Sequence, residues 1–314
     1  MPIHRTFPAV NTATSNQELL ASAVTPHIAV LGIGMMGLPM ARRLLEAGMP
    51  VTGWNRARSK AERLLHSGAT VADSPADAVA QADIVITLLT DGAAVEDVLF
   101  RQGAAEAMRP GSTLIDMSSI QPREARDHAA RLAARGIHHL DAPVSGGTVG
   151  AEAGTLAIMV GGRQAPFEQA LPVLEVLGRP THVGPSGSGQ LAKLANQMIV
   201  GVTIGAVAEA LLLCERGGAN MARVREAITG GFADSRILQV HGQRMVERDF
   251  TKRGALAVQL KDMRNALATA TEVGFEAPIT ALFEQLYADA VGHGLADLDH
   301  SALFVELASR NGMR

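Results

Sequence analysis

The stretch that decides the fold is Ile28-Ala-Val-Leu31 followed by Gly32-Ile33-Gly34-Met35-Met36-Gly37. Four consecutive apolar residues predict a buried strand, and the apolar periodicity that follows the glycines predicts a helix. Glycines at this spacing allow a tight turn, close approach of a pyrophosphate to the backbone, and packing of the helix on the strand. The helix N-terminus adds amides that attract phosphate. These six loop residues are therefore predicted to bind a dinucleotide; the alternative is a plain strand-to-helix turn.

Outward from this loop, short apolar runs alternate with amphipathic segments as far as residue 184. Such alternation is typical of a parallel sheet that is covered by helices on both faces. From residue 190 to residue 310 helical periodicity takes over, and no convincing strand interrupts it. We therefore predict an α/β fold, with a Rossmann-type doubly wound parallel sheet in residues 27–188 and an all-α domain in residues 189–314.

Composition excludes several classes of protein. The chain has 314 residues, is 47% hydrophobic and carries a net charge of −3, so it lacks the excess of Lys and Arg that nucleic-acid binders need. Its single cysteine, Cys214, excludes an intramolecular disulfide and a Cys-rich metal site. The histidines lack the spacing of metal ligands, so we predict no metal.

Membrane and targeting signals are weak. The longest apolar stretch without charge, residues 194–208, is shorter than the roughly 20 residues that span a bilayer, so we predict a buried helix and no membrane partner. Residues 1–26 are mostly small and polar, which favours a flexible tail. We expect a cytoplasmic protein.

The end of the second predicted strand bears on the choice of cofactor. An NAD site usually has an acidic residue there, which binds the ribose hydroxyls. This chain has Asn55 and Arg56 instead, and a guanidinium can bind a 2′-phosphate through paired hydrogen bonds. One charge-assisted hydrogen bond contributes about 1.5–3 kcal/mol, which corresponds to a ten- to hundredfold preference. We predict NADP as cofactor, with NADPH preferred over NADH; a solvated basic helix start is the alternative.

Three further blocks accompany the glycine loop: Asp141-Ala-Pro-Val-Ser145-Gly146-Gly147, Gly187-Ser-Gly-Gln-Leu-Ala-Lys193-Leu-Ala-Asn196-Gln197, and Lys261-Asp262. With these blocks in this order, the chain from about residue 27 to residue 310 resembles the β-hydroxyacid dehydrogenases. That family includes 3-hydroxyisobutyrate dehydrogenases and 2-hydroxy-3-oxopropionate (tartronate semialdehyde) reductases. The run that contains Lys193 is most similar to the latter branch.

The resemblance implies roles for residues at the matching positions. Lys193, Asn196 and Ser145 are implied to be catalytic, and the first two share one helix face because they are three residues apart. An ammonium group can polarise a carbonyl and donate a proton to it. Further cofactor contacts are implied for Leu89, Thr90, Ser119 and Lys261. Implied substrate contacts are Ser118, Ser145, Gly146, Gly147, Lys193, Asn196, Gln197 and Asp262.

The implied reaction interconverts a small carboxylate-bearing semialdehyde and its hydroxy acid, with 2-hydroxy-3-oxopropionate and glycerate as the first choice. A 3-hydroxyisobutyrate dehydrogenase or a glyoxylate/succinic semialdehyde reductase is the close alternative. An imine reductase or a noncatalytic dinucleotide-binding relative is disfavoured, because Lys193 is retained. Gly254 stands where the family commonly has Phe, which leaves the substrate open. The resemblance also implies a homodimer or homotetramer that assembles through the helical domain.

Overall fold

The structure, a computed structural model, describes residues 25–313, so most of the predicted tail lies outside the described residues. The predicted fold class is confirmed: a sheet with flanking helices comes first, and a helical region follows. The strands are β1 (Ile28–Leu31), β2 (Val51–Trp54), β3 (Thr70–Val71), β4 (Ile84–Thr87), β5 (Thr113–Asp116), β6 (His138–Asp141), β7 (Val144–Ser145), β8 (Leu156–Gly162) and β9 (Gly178–Gly184).

Eight helices lie between these strands: α1 (Gly37–Glu46), α2 (Arg58–Glu62), α3 (Pro75–Val79), α4 (Gly92–Glu96), α5 (Ala104–Ala107), α6 (Pro122–Ala133), α7 (Gly147–Ala153) and α8 (Gln164–Leu177) within the described chain. Six follow the sheet there: α9 (Ser188–Arg216), α10 (Met221–Ile228), α11 (Arg236–Glu247), α12 (Leu256–Glu272), α13 (Pro278–Ala290) and α14 (Leu303–Arg310). The predicted division between residues 188 and 189 falls in the first turn of α9.

The strand order explains where a ligand can bind. The sheet runs β3-β2-β1-β4-β5-β6-β8-β7, and the strands from β3 to β6 are parallel, as predicted. β8 is antiparallel to β6 and β7, and it pairs in parallel with β9. β2 and β3 are added on one side of β1, and the chain then crosses back to add β4 and β5 on the other side. Open α/β sheets bind ligands at such a switch point. The glycine loop after β1 lies there.

Alternation along β1 explains why both faces of the sheet are covered. Ile28 and Val30 belong to the core on one face, and Ala29 and Leu31 belong to the core on the other. This is the two-sided burial that parallel sheets require. A third core, which includes Leu211, Tyr287 and Phe304, holds the helical region together.

The long helix α9 is buried along one side only. It contains an 18-residue window of mean hydropathy 1.9, of which 44% is buried, so by length and composition alone it could cross a membrane. The core helix of a globular protein meets the same criterion. Leu194 and Ile204 are buried as predicted, but Leu191, Ile199 and Leu213 are 52%, 68% and 72% exposed. The prediction of a buried helix over residues 194–208 therefore holds for one face only. It is wrong for the face of Ile199, and Leu191 and Leu213, outside that range, extend this exposed apolar face.

Candidate active site

The glycine loop joins β1 to α1 at the edge where the parallel strands end. Gly32 has a φ of 112°, and a methyl group on it would collide with the carbonyl oxygen of Leu88. A methyl group on Gly37 would collide with the carbonyl oxygen of Gly32, whereas one on Gly34 would meet nothing within 4 Å. The fold therefore requires the outer glycines, and the bare backbone at Gly34 leaves room for a pyrophosphate. The loop fits a dinucleotide.

The end of β2 lies beside this loop, because β2 is paired with β1. Asn55 donates a hydrogen bond to the carbonyl oxygen of Ala57 at 3.0 Å, which shapes the turn. Arg58 forms ion pairs with Glu62 and Asp73. Among the described residues Arg56 has no side-chain hydrogen bond or ion pair, and it is exposed. It is therefore free to bind an anion at the position where the cofactor choice is made.

Lys193 reaches from α9 back to the sheet. Its Nζ donates a hydrogen bond of 2.8 Å to the carbonyl oxygen of Val144. The next residues are Ser145, Gly146 and Gly147, and both glycines have positive φ, at 142° and 63°. The turn thus presents a hydroxyl and successive amides with no bulky side chain. The ammonium group and this turn, for which the family resemblance implies contact with the substrate, are neighbours.

Burial lowers the pKa of the Lys193 ammonium below its usual range. The negative charge of Asp262 opposes this shift, and the positive charge of Lys261 adds to it. A lower pKa makes the ammonium a stronger acid, and it also makes the neutral amine accessible for the reverse reaction. The environment of Lys193 suits proton transfer in either direction.

Asp262 on α12 links the helices to the sheet. Its Oδ1 accepts a hydrogen bond of 3.2 Å from the Ser119 hydroxyl, and its Oδ2 accepts one of 2.7 Å from the side chain of Gln197. Asn196 in turn donates to Gln197 at 2.8 Å, and Lys261 forms an ion pair with Asp262 at 3.2 Å. Asp262 is only 1% exposed, so it holds these side chains in place; its own contact with substrate stays a prediction.

Lys261 and Ser118 connect the remaining predicted residues. Lys261 donates to the carbonyl oxygen of Ser119 at 2.9 Å and lies 3.5 Å from that of Thr90. The Ser118 hydroxyl accepts a hydrogen bond of 2.9 Å from the amide of Leu89. Ser118 is 2% exposed, so the structure shows its hydroxyl fixing the loop after β4, and its contact with substrate stays a prediction. Hydrogen bonds and an ion pair thus bring together Leu89, Thr90, Ser118, Ser119, Asn196, Gln197, Lys261 and Asp262.

Asp141 was given no role in the sequence interpretation, yet it anchors the helix that carries Lys193. Its Oδ1 accepts a hydrogen bond of 2.8 Å from the amide of Gly187, and its Oδ2 accepts one of 2.9 Å from that of Gln190. Both amides belong to the start of α9, where a carboxylate satisfies unpaired donors and faces the positive end of the helix dipole. Burial nevertheless raises the pKa of Asp141 to about 6.

A second buried acid, Asp116, lies next to Asp141, because the two residues pair in register between β5 and β6. Asp116 accepts hydrogen bonds from the Thr87 hydroxyl at 2.8 Å and from the amide of Ser118 at 3.0 Å. Burial also raises the pKa of Asp116. Acids that end two successive buried strands were the available sequence signal, since the carboxyl ends of parallel strands meet at the ligand-binding edge.

Gly254, where the family resemblance implied Phe, lies against His300. A Cβ atom on Gly254 would be 3.4 Å from both Cε1 and Nε2 of the His300 ring. The backbone amide of His300 also donates a hydrogen bond of 2.9 Å to the carbonyl oxygen of Gly254. An imidazole therefore occupies the space beside this position.

Comparisons with known proteins bear on both regions of the chain. Residues 27–201 match a family model described as the NAD binding domain of 6-phosphogluconate dehydrogenase. Residues 187–307 match one described as the NAD-binding of NADP-dependent 3-hydroxyisobutyrate dehydrogenase. The two matches together extend over the glycine loop and the cluster around Asp262.

Individual relatives agree with these models. A 2-hydroxy-3-oxopropionate reductase of Escherichia coli (strain K12) is 43% identical over 277 residues, which are 87% of this chain and 94% of that protein. The solved structure of Mycobacterium tuberculosis 3-hydroxyisobutyrate dehydrogenase with L-serine has a TM-score of 0.84 and 35% identity, and covers 90% of this chain and 99% of its own. Psf3 in complex with NADP+ and 2-OPP has a TM-score of 0.82 and 25% identity, over 89% and 99% of the two chains. The chain thus belongs to the β-hydroxyacid dehydrogenase family, whose members are NAD(P)-dependent oxidoreductases acting on CH–OH groups, and it is one of these enzymes.

Proposed function

We propose that this enzyme reduces a small carboxylate-bearing semialdehyde with NADPH, and that 2-hydroxy-3-oxopropionate, which yields glycerate, is its first substrate. The observation that carries the proposal is the position of Lys193. Its ammonium group is held 2.8 Å from the carbonyl oxygen of Val144, directly beside the turn of Ser145 and two glycines. A proton donor and an anion-binding turn thus adjoin each other on the cleft.

The glycine loop would hold the pyrophosphate of NADPH, and the reduced nicotinamide of the bound cofactor would supply the hydride. The residues of the chain do the rest. Lys193 hydrogen-bonds the substrate carbonyl, polarises it, and transfers its proton to the oxygen as charge develops there. Ser145 and the amides of the following glycines bind the carboxylate and so orient the carbonyl carbon. Asn196 and Gln197 follow Lys193 by three and four residues, so they lie on its face of α9, where they bind the remaining polar groups of the substrate.

Arg56 supports the preference for NADPH. It is exposed at the end of β2 and has no acidic partner among the described residues, whereas Arg58 is paired with two acids. An unpaired guanidinium gains more from a new phosphate than one that must give up a carboxylate. We assign the 2′-phosphate contact to Arg56.

The choice of substrate is supported by two facts. The relative from Escherichia coli, at 43% identity, bears the name 2-hydroxy-3-oxopropionate reductase. The space beside Gly254 is occupied by His300, a polar ring that suits a hydroxylated substrate better than a methylated one. The second candidate is a 3-hydroxyisobutyrate dehydrogenase. The similarity to the solved Mycobacterium tuberculosis enzyme of that name favours this alternative.

We also propose that the enzyme assembles as a homodimer or homotetramer through the exposed face of α9. Leu191, Ile199 and Leu213 lie on the side opposite Lys193, and each is more than half exposed. An uncovered apolar stripe of this kind on a soluble protein marks an interface. Because it faces away from Lys193, a second copy can cover it without closing the cleft.

A substrate panel tests the function. NADPH consumption is measured with 2-hydroxy-3-oxopropionate, methylmalonate semialdehyde, succinic semialdehyde and glyoxylate, and each assay is repeated with NADH. We expect the highest kcat/KM for 2-hydroxy-3-oxopropionate with NADPH. A higher kcat/KM for methylmalonate semialdehyde would transfer the assignment to 3-hydroxyisobutyrate dehydrogenase, and no turnover with any aldehyde would refute the proposal.

A further inference from the structure

Gln190 is a fully buried polar side chain one helical turn before Lys193. It is 0% exposed, although its amide has two donors and an acceptor. Buried amides of this kind persist where they are hydrogen-bonded, and their partners reveal what they hold.

The partners of Gln190 are two backbone groups of a single loop. Its Nε2 donates to the carbonyl oxygen of Ser118 at 2.8 Å, and its Oε1 accepts from the amide of Ile120 at 3.1 Å. The side chain therefore holds the backbone on both sides of Ser119, at the carbonyl group before it and at the amide after it. Because both bonds go to the backbone, they fix the register of this loop against α9 whatever its side chains do.

The other end of Gln190 is fixed as well. Its backbone amide donates to the carboxylate of Asp141 at 2.9 Å, so the residue is tied to β6 as well as to the loop after β5. Lys261 binds the same loop from α12 through the carbonyl oxygen of Ser119. Gln190 therefore connects the loop of residues 118–120 to the helix that carries Lys193.

We propose that Gln190 is a positioning residue, whose amide sets the separation between Lys193 and the loop of residues 118–120. This rests on the proposed function, which puts the proton donor on α9 and cofactor and substrate contacts on the loop. Hydride and proton transfer need both sides aligned, and a misplacement of about 1 Å can cost a hundredfold in rate. A role in folding alone would leave kcat unchanged in the folded protein.

The first test replaces the amide by an apolar chain of similar length. In the Gln190→Met variant we expect kcat to fall tenfold or more, on the order of the cost of such a misplacement. The KM for NADPH should change by less than kcat does, because the glycine loop and Arg56 are untouched and only the cofactor contact of the 118–120 loop is disturbed. The primary isotope effect with 4-deuterated NADPH should rise, since hydride transfer becomes slower relative to product release. Turnover of the wild type is measured alongside with the same semialdehyde.

The second test uses pH. A protonated carboxyl group can accept from Ile120 and donate to Ser118 as the amide does, whereas a carboxylate would repel the carbonyl oxygen of Ser118. The activity of the Gln190→Glu variant, divided by that of the wild type, should therefore increase as the pH is lowered. This ratio can be measured as long as the Gln190→Glu variant folds, so it tests the positioning role even if the Gln190→Met variant does not fold.

Tyr287→Phe is the matched control. The Tyr287 hydroxyl is buried and donates to the backbone of the same helix, at Gly201, over 3.2 Å. Its removal should lower the unfolding temperature and leave kcat unchanged. A Gln190→Met enzyme that loses stability but keeps the wild-type kcat, or a Gln190→Glu ratio that does not change with pH, would overturn the positioning role. An inactive wild type would instead refute the proposed function on which it rests.

Discussion

The two walls of the candidate active site are built from different parts of the chain. On the sheet side, the glycine loop is one continuous stretch, and its space and amides suit a pyrophosphate. On the helical side, Asp262 joins Ser119 and Gln197, which are 143 and 65 residues away from it in the sequence. The first wall depends on backbone geometry, and the second depends on side chains that only the folded chain brings together.

This difference separates binding from chemistry. A wall of backbone amides tolerates many side chains, so substitutions around it act on cofactor affinity and on the fold. In a wall of buried charged side chains, each side chain interacts with its neighbours, so a substitution of one alters the pKa and the position of the others. We therefore expect substitutions on the helical side to lower kcat and substitutions on the sheet side to raise the KM for NADPH.

The largest of these effects is predicted for Asp262→Asn. The substitution keeps the shape of the side chain but removes the negative charge that pairs with Lys261 and acts on Lys193. Because that charge holds the pKa of Lys193 up, the pKa should fall further, and the alkaline limb of the kcat profile for reduction should move to lower pH. With misalignment of Gln197 added, kcat at pH 8 should fall by about a hundredfold.

Steady-state assays from pH 5 to pH 9 measure this effect. Glu306→Gln is the matched control, because Glu306 is 2% exposed and bonds Arg310 instead of the cluster. An Asp262→Asn enzyme with the wild-type pH profile would disprove the coupling of the helical wall.

A smaller effect, on stability, is predicted for the carboxylate of Asp141. Its pKa is raised from 3.8 to about 6 in the folded protein, so folding favours the protonated form. The stabilisation is complete below the unfolded pKa and is lost as the pH rises through 6. From pH 4 to pH 7 the wild type should therefore lose about 2.5 kcal/mol of unfolding free energy relative to the Asp141→Asn variant. Urea denaturation of both proteins at each pH measures the difference; a constant difference would contradict the raised pKa.

The smallest effect is predicted for the sheet side. Arg56→Ala should raise the KM for NADPH by about tenfold, because one charge-assisted contact with the 2′-phosphate is lost. Kinetics with NADH should be unchanged, since NADH lacks that phosphate. Arg58→Ala is the control and should leave both values nearly unaltered, because Arg58 is already paired with Glu62. Equal losses with the two cofactors would show that Arg56 does not bind the 2′-phosphate.

How much the sequence reveals follows the same division. The glycine loop, the parallel strands and the helical region are local patterns, and the structure confirms them. The block from Ser145 onwards contains the short strand β7 and the start of α7, although two glycines, Gly147 and Gly150, make α7 a poor helix by propensity. Tertiary packing overrides that propensity.

Other features depend on contacts that no local pattern encodes. Gln190 stands inside the block that contains Lys193, and Asp141 stands inside the block that contains Ser145, but their hydrogen bonds run across the domain junction. The exposed face of α9 could not be predicted, because an apolar helix that a partner chain covers has the same sequence pattern as one that is buried within its own chain. Such positions become visible only when burial and hydrogen-bond partners are known.

The most direct test of the account is the rate of hydride transfer in a single turnover with the Lys193→Met enzyme. Enzyme saturated with NADPH is mixed with 2-hydroxy-3-oxopropionate, and the loss of reduced nicotinamide is followed in a stopped-flow instrument. The account predicts a rate about a hundredfold or more below that of the wild type, with unchanged affinity for NADPH, because only the proton donor is lost. A transfer rate close to that of the wild type would contradict it.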